Sequence, residues 1–184
     1  MRRFRVRFVA ISLVIPIVLA ACSGGGGSGT KVSADAYATT VCTHIKTWLD
    51  QIKQRETELQ TAVSPGTSPT RGRDLLRSYL DNLISDTDEM ISAIKDAGTP
   101  DIPNGDQISS TLTSGLEQAK SAFDDARGQV DSLPTNSRAA FAQAAQQLGS
   151  SINSKVGGIT QSFQGLKSPE LDRAFNKVSA CKGS

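Results

Sequence analysis

Apolar residues recur at steps of three and four through almost all of residues 34–184, and that period constrains the fold more than any other feature. Four stretches carry it: Cys42, Ile45, Leu49, Ile52, Leu59 and Val63; Leu76, Leu80, Leu83, Met90, Ile94 and Ala97; Ile108, Leu112, Leu116, Ala119, Phe123, Ala126, Val130 and Leu133; and Phe141, Ala145, Leu148, Ile152, Val156, Ile159, Phe163 and Leu166. Such steps place one side chain per turn on a single helical face, whereas a half-buried strand needs alternation. Runs of alternating or β-branched residues are missing, so the fold class is all-α.

Turn and cap residues divide the pattern. Ser33 caps a first helix with Asp35 in its first turn, Tyr37, Val41 and Trp48 widening its stripe, and the Pro and Gly residues between Ser64 and Pro69 break it. A second helix is expected from about Gly72, with Gly98 as its stop, and a third from about Asp106, ended by Pro134. Asn136 or Ser137 caps a fourth, which Gly157-Gly158 would loosen. Ser168-Pro169-Glu170 opens a short fifth helix with Leu171, Ala174, Phe175, Val178 and Cys181 on one face. Short connections favour antiparallel neighbours, giving an antiparallel four-helix bundle plus a short C-terminal fifth helix lying back along the first.

The chain ahead of this domain has a different character. Arg2, Arg3, Arg5 and Arg7 precede an apolar run from Phe8 to Val18, then Leu19-Ala20-Ala21-Cys22, so residues 1–21 read as an export signal. Only 14 residues separate Arg7 from Cys22 and Pro16 interrupts them, where about 20 apolar residues are needed to span a membrane. The four-residue site resembles the lipobox of bacterial lipoproteins. That resemblance implies a diacylglyceryl group on the Cys22 thiol, cleavage before it, acylation of the new amine by a chain such as palmitate, and a protein held on the extracytoplasmic face of the cell membrane. An export signal cut without lipidation is the alternative, and Arg2-Arg3 leaves the general and twin-arginine routes both open. Residues 22–33, rich in Gly and Ser, form a tether holding residues 34–184 about 18 Å from the lipid on average. More broadly, Leu19 to Cys22, Gly24 to Gly29, Cys42 with Trp48, and Ser168 to Leu171 with Cys181 resemble small secreted helical lipoproteins of actinobacteria. This likeness implies location and architecture, and no activity.

Export reorders the charge and the cysteines. Four of the 20 basic residues leave with the signal, so 16 face 18 acidic ones and the formal charge turns from +2 to −2. Lys and Arg are scattered among Asp and Glu with no basic stripe, so nucleic acid is not expected as a partner. With Cys22 lipidated, Cys42 and Cys181 remain, and outside the cytoplasm they are expected to form a terminal disulfide that staples the bundle. Such a loop removes about 5 kcal/mol of unfolded-chain entropy in the simple model. Measured along their helices, Cys42 stands about 12 Å and Cys181 about 18 Å from the start. Two buried free thiols are the alternative.

Little in the chain points to catalysis. His44 is the only histidine, no glycine-flanked serine of the nucleophile-elbow type occurs in the mature part, and one histidine with a paired cysteine makes no zinc site. Cys42-Thr43-His44 lacks the first cysteine of a haem-attachment motif. Asp86, Asp88 and Glu89, and Asp124-Asp125, read as solvated helix faces without calcium-loop spacing. Trp48, Phe123, Phe141, Phe163 and Phe175 fall on the apolar stripes and read as core. No cofactor or metal is expected, and the protein is read as non-enzymatic: an interaction or accessory module of the cell envelope, with an envelope protein as partner. The alternative is a carrier for a small apolar ligand held between helices near Gly157-Gly158. Replacing Cys22 with Ala is expected to move the protein from the membrane fraction to the soluble one. The released variant, denatured and alkylated without reductant, is expected to show no free thiol by mass spectrometry; retention on membranes or two alkylated cysteines would contradict these readings.

Overall fold

The computed structural model describes residues 30–64, 66–164 and 168–181, with the backbone alone for 158–164. The expected signal, most of the tether, and the side chains of Ile159, Phe163 and Leu166 lie outside what is described. The fold is all-α: α1 (Ala34–Ala62), α2 (Pro69–Asp96), α3 (Gly105–Val130), α4 (Arg138–Gln164) and α5 (Pro169–Lys177), followed by a 3-10 turn at Ser179–Cys181.

Hydroxyl caps set the helix starts. Ser33 Oγ accepts from Ala36 N–H at 3.2 Å, Ser68 Oγ from Arg71 N–H at 3.2 Å, Ser137 Oγ from Ala140 N–H at 3.4 Å and Ser168 Oγ from Leu171 N–H at 3.3 Å. The second helix starts ahead of the expected Gly72, at Pro69. A proline at the first helical position forfeits only an N–H that would have had no partner there, so the break ends sooner than its composition implied. In α4 the helix runs unbroken through Gly157 and Gly158 to Gln164.

Two further expectations are corrected. The tether was taken to extend to Ser33, yet Lys31–Val32 (β1) pairs in parallel with Thr99–Pro100 (β2) between α2 and α3. The Thr99 N–H donates to the Thr30 carbonyl at 2.9 Å and the Asp101 N–H to the Val32 carbonyl at 2.7 Å. Cys181 was placed on the fifth helix, but that helix ends at Lys177 and Val178 takes extended backbone, φ −82° and ψ 119°. A β-branched residue is at ease in that conformation, and it turns the chain off the helical path. Cys181 therefore meets Cys42 from the 3-10 turn, their Cα atoms 5.2 Å apart, within disulfide reach. The agreement of heights along the two helices has no bearing on it.

The core divides in two. Leu80 and Leu83 of α2, Phe123 and Val130 of α3, and Leu148 of α4 form one buried cluster. Tyr37 and Val41 of α1, Met90 and Ile94 of α2, Ile108 of α3 and Leu171 of α5 form the other. Helices α2 and α3 contribute to both. Their cross-pairs occur in reversed order, Asp81 with Arg127 at 3.0 Å, Asp88 with Lys120 at 2.9 Å and Lys95 with Glu117 at 2.9 Å, so these two helices run antiparallel. Helix α1 packs on α2, α4 on α3 and α5 on α1, while the α1 and α4 backbones stay apart among the described residues.

Gly98 locks this arrangement. It ends α2 at φ +78°, and a Cβ there would lie 2.3 Å from the Thr30 carbonyl oxygen. Gly98→Ala is expected to cost about 1–3 kcal/mol in urea unfolding. Gly128→Ala, in the last turn of α3 and with a Cβ that would meet nothing within 4 Å, is expected to be neutral or to stabilise by up to about 0.5 kcal/mol; equal effects would refute the role of Gly98.

Candidate functional site

Because α1 and α4 sit on opposite members of the α2–α3 pair, the space between them is only partly filled. Trp48, Leu49 and Ile52 of α1 form one wall of a cavity of about 400 Å³, and Gly149, Ile152, Asn153 and Val156 of α4 the other. Tyr79 and Leu83 of α2 and Gly115, Leu116, Ala119 and Phe123 of α3 make its floor. The floor residues Leu83, Leu116, Ala119 and Phe123 are buried, whereas Trp48, Ile52, Ile152 and Val156 are only partly so. Each is a stripe residue, so the period that built the helices also built the lining. At Gly149 the stripe has no side chain, and a Cβ built there meets nothing within 4 Å.

The polar edges of the lining are turned away or muted. Trp48 Nε1 donates to Thr87 Oγ1 at 3.1 Å, and that buried hydroxyl donates to the Leu83 carbonyl at 2.6 Å, leaving the indole ring to the cavity. Burial pushes the Tyr79 phenol above its ordinary range, and Glu56 adds to the effect. No Asp, Glu, Lys or Arg lines this space. A ligand bound here would be held by apolar contact, with the Asn153 amide and the Tyr79 hydroxyl as polar partners.

Farther along the same helices lies a second cavity of about 340 Å³, lined by Leu59 and Val63 of α1, Leu76 of α2, and Phe141 and Ala145 of α4, with Arg138 its charged residue. It narrows at Gly72, where a Cβ would come within 2.9 Å of the Phe141 ring. A third space, about 780 Å³, is an open groove between α1 and α2 carrying His44, Asp88, Glu89 and Asp96. His44 is exposed there. No group of three metal-binding side chains exists among the described residues.

The acidic residues behave less uniformly than expected. Asp88 and Asp125 are exposed and paired with Lys120 and Lys155. Asp86 was read with them as solvated; it is instead 4% exposed, and its carboxylate accepts from Arg55 Nε at 3.2 Å and Nη2 at 3.5 Å. A buried carboxylate needs such a partner. The sequence held the signal, since Asp86 and Thr87 fill the step between Leu83 and Met90 on the stripe of α2.

The aromatic residues read as core divide as well: Phe123 is buried, but Trp48 also faces the cavity. The cavity lies on α4 before the Gly157-Gly158 pair where a ligand was expected. Gly115, Gly149, Tyr79 and Asn153 were missed, and a glycine inside an apolar stripe was the available clue. Cys22 lies outside the described residues, and no described helix is long and apolar enough to cross a membrane.

Tyr37 is 1% exposed, and its hydroxyl has no hydrogen-bond partner among the described residues; the nearby Ser109 hydroxyl donates to the Gly98 carbonyl at 3.3 Å. Burial raises its phenol, with Ser109 opposing. Both tyrosines thus stay protonated in the folded state at pH values where unfolded phenols, near pKa 10, already ionise. Their contribution is complete below about pH 10 and is lost as pH rises beyond it. Tyr37→Phe/Tyr79→Phe is expected to lose less stability than the parent between about pH 9 and 11 in chemical denaturation; identical losses would refute this.

No protein family matches the chain, and neither a curated protein nor a solved structure does.

Proposed function

We propose that this protein is an exported lipoprotein, anchored through Cys22 on the extracytoplasmic face of the cell membrane, which binds a small apolar ligand in the cleft between α1 and α4. Its scaffold is an antiparallel four-helix bundle with α5 as an added strut and a Cys42–Cys181 disulfide closing the domain. The reversed order of ion pairs between α2 and α3 supports the bundle, and the 5.2 Å between the two cysteine Cα atoms supports the bridge.

The observation that carries the binding function is the cavity itself, about 400 Å³ and free of charged side chains. Ligand pockets run from about 300 to 1,000 Å³, mostly apolar with a few polar groups. Burying apolar surface there contributes about 25 cal/mol per Å². The accessory-module reading has less behind it: among large apolar residues described, Val63 at 49% is the exposed one, too little for an apolar docking patch.

Trp48 is the only tryptophan in the chain, so its fluorescence reports on the site directly. Titrating the soluble Cys22→Ala domain with N-phenyl-1-naphthylamine is expected to give saturable, one-to-one energy transfer from Trp48. Gly149→Phe, which fills the cavity, is expected to weaken binding about tenfold or more while leaving the thermal midpoint within a few degrees. No saturable binding to the parent domain would sink the proposal.

A further inference from the structure

Resting on that reading, the geometry points to one extended aliphatic chain as the ligand, lying along the α1–α4 seam through both apolar cavities. The two cavities share the same walls. Trp48 and Val156 mark the lower one, and Leu59 and Phe141 the upper one, so numbering rises along α1 as it falls along α4. From Leu49 to Val63 on α1 the helical rise amounts to about 21 Å, and from Val156 back to Phe141 on α4 to about 22 Å. Among the described residues the α1 and α4 backbones are not close neighbours, and between Ile52 and Leu59 a chain passing from one cavity to the other would run past the exposed Glu56.

Shape decides the ligand class. A compact ring system would fill the lower cavity and leave the upper 340 Å³ unused. An extended chain uses both. One leaflet of a membrane presents chains about 15 Å long, half of its hydrocarbon core, and the seam is long enough to cover such a chain. Polarity decides the direction. The lower cavity has no charged lining, whereas the upper one ends at Ser64, Thr67, Ser68 and Arg138. The tail therefore lies against Trp48 and Phe123, and the polar end of the molecule leaves past the loop between α1 and α2. A free fatty acid and a single-chain phospholipid share this chemistry.

Displacement of N-phenyl-1-naphthylamine from the soluble Cys22→Ala domain by octanoate, dodecanoate and hexadecanoate tests the inference. Affinity is expected to rise along the series by at least about tenfold, since each added methylene finds further apolar wall. Ala145→Phe, which fills the upper cavity through which the chain must pass, is expected to weaken hexadecanoate by at least about tenfold and to flatten the rise along the series. Ala142→Phe, at a more exposed position of the same lining, serves if the first variant melts early. Equal affinities along the series in the parent domain, or an undiminished rise along the series in the upper-cavity variants, would overturn the extended-chain mode while leaving cleft binding intact. Failure of the parent domain to bind the dye overturns both. Hexadecanoyl lysophosphatidylcholine competing as well as hexadecanoate identifies a lipid with its headgroup outside; competition by the free acid alone identifies a fatty acid.

Discussion

The pairing of α2 with α3 is the contact on which the other helices depend. Apolar burial holds it: Leu80, Leu83, Phe123 and Val130 at one end, Met90, Ile94 and Ile108 at the other. The ion pairs that cross it are half exposed, and such pairs contribute about 0–1 kcal/mol each, enough to favour one register and too little to supply the cohesion. Helix α1 packs against α2 and α4 against α3. Two helices supported by different members of a central pair need not meet, and the cleft follows from that geometry.

The helices were legible because their signals are local. A stripe at steps of three and four, a serine cap or a glycine stop is written within a few residues, and Ser33, Gly98 and Ser168 act where their types require. What escaped the sequence depends on residues far apart. Lys31 and Val32 are too short a run to show alternation, and their partner is some 70 residues on, at Thr99. Asp86 looked like a member of a surface acidic group because its neighbours are acidic, although its place on the stripe of α2 and Arg55 on α1 decide its burial.

The cleft was hidden for a related reason. A stripe tells which face of a helix is apolar and not how completely another element covers it. Helices α3 and α4 carry similar stripes, yet along α3 Leu116, Ala119, Phe123 and Ala126 are buried, while among the described side chains of the α4 stripe only Leu148 is buried and Phe141, Ile152 and Val156 are partly so. The difference lies in the number of neighbours each helix has. Gly149 hinted at it, as a gap in lining that a close-packed core would have filled.

The small pairing of β1 with β2 has a mechanical side. If Cys22 is held in a membrane, every pull on the domain arrives at Thr30, where the tether ends. The pairing is parallel, and its two bonds, Thr99 to Thr30 and Asp101 to Val32, lie side by side along the direction of pull. They would be loaded together in shear instead of parting in turn, and β2 passes that load directly into the connection between α2 and α3. Under such a pull the two residues of strand would pass tension into the connection between α2 and α3 before it reached the first turn of α1.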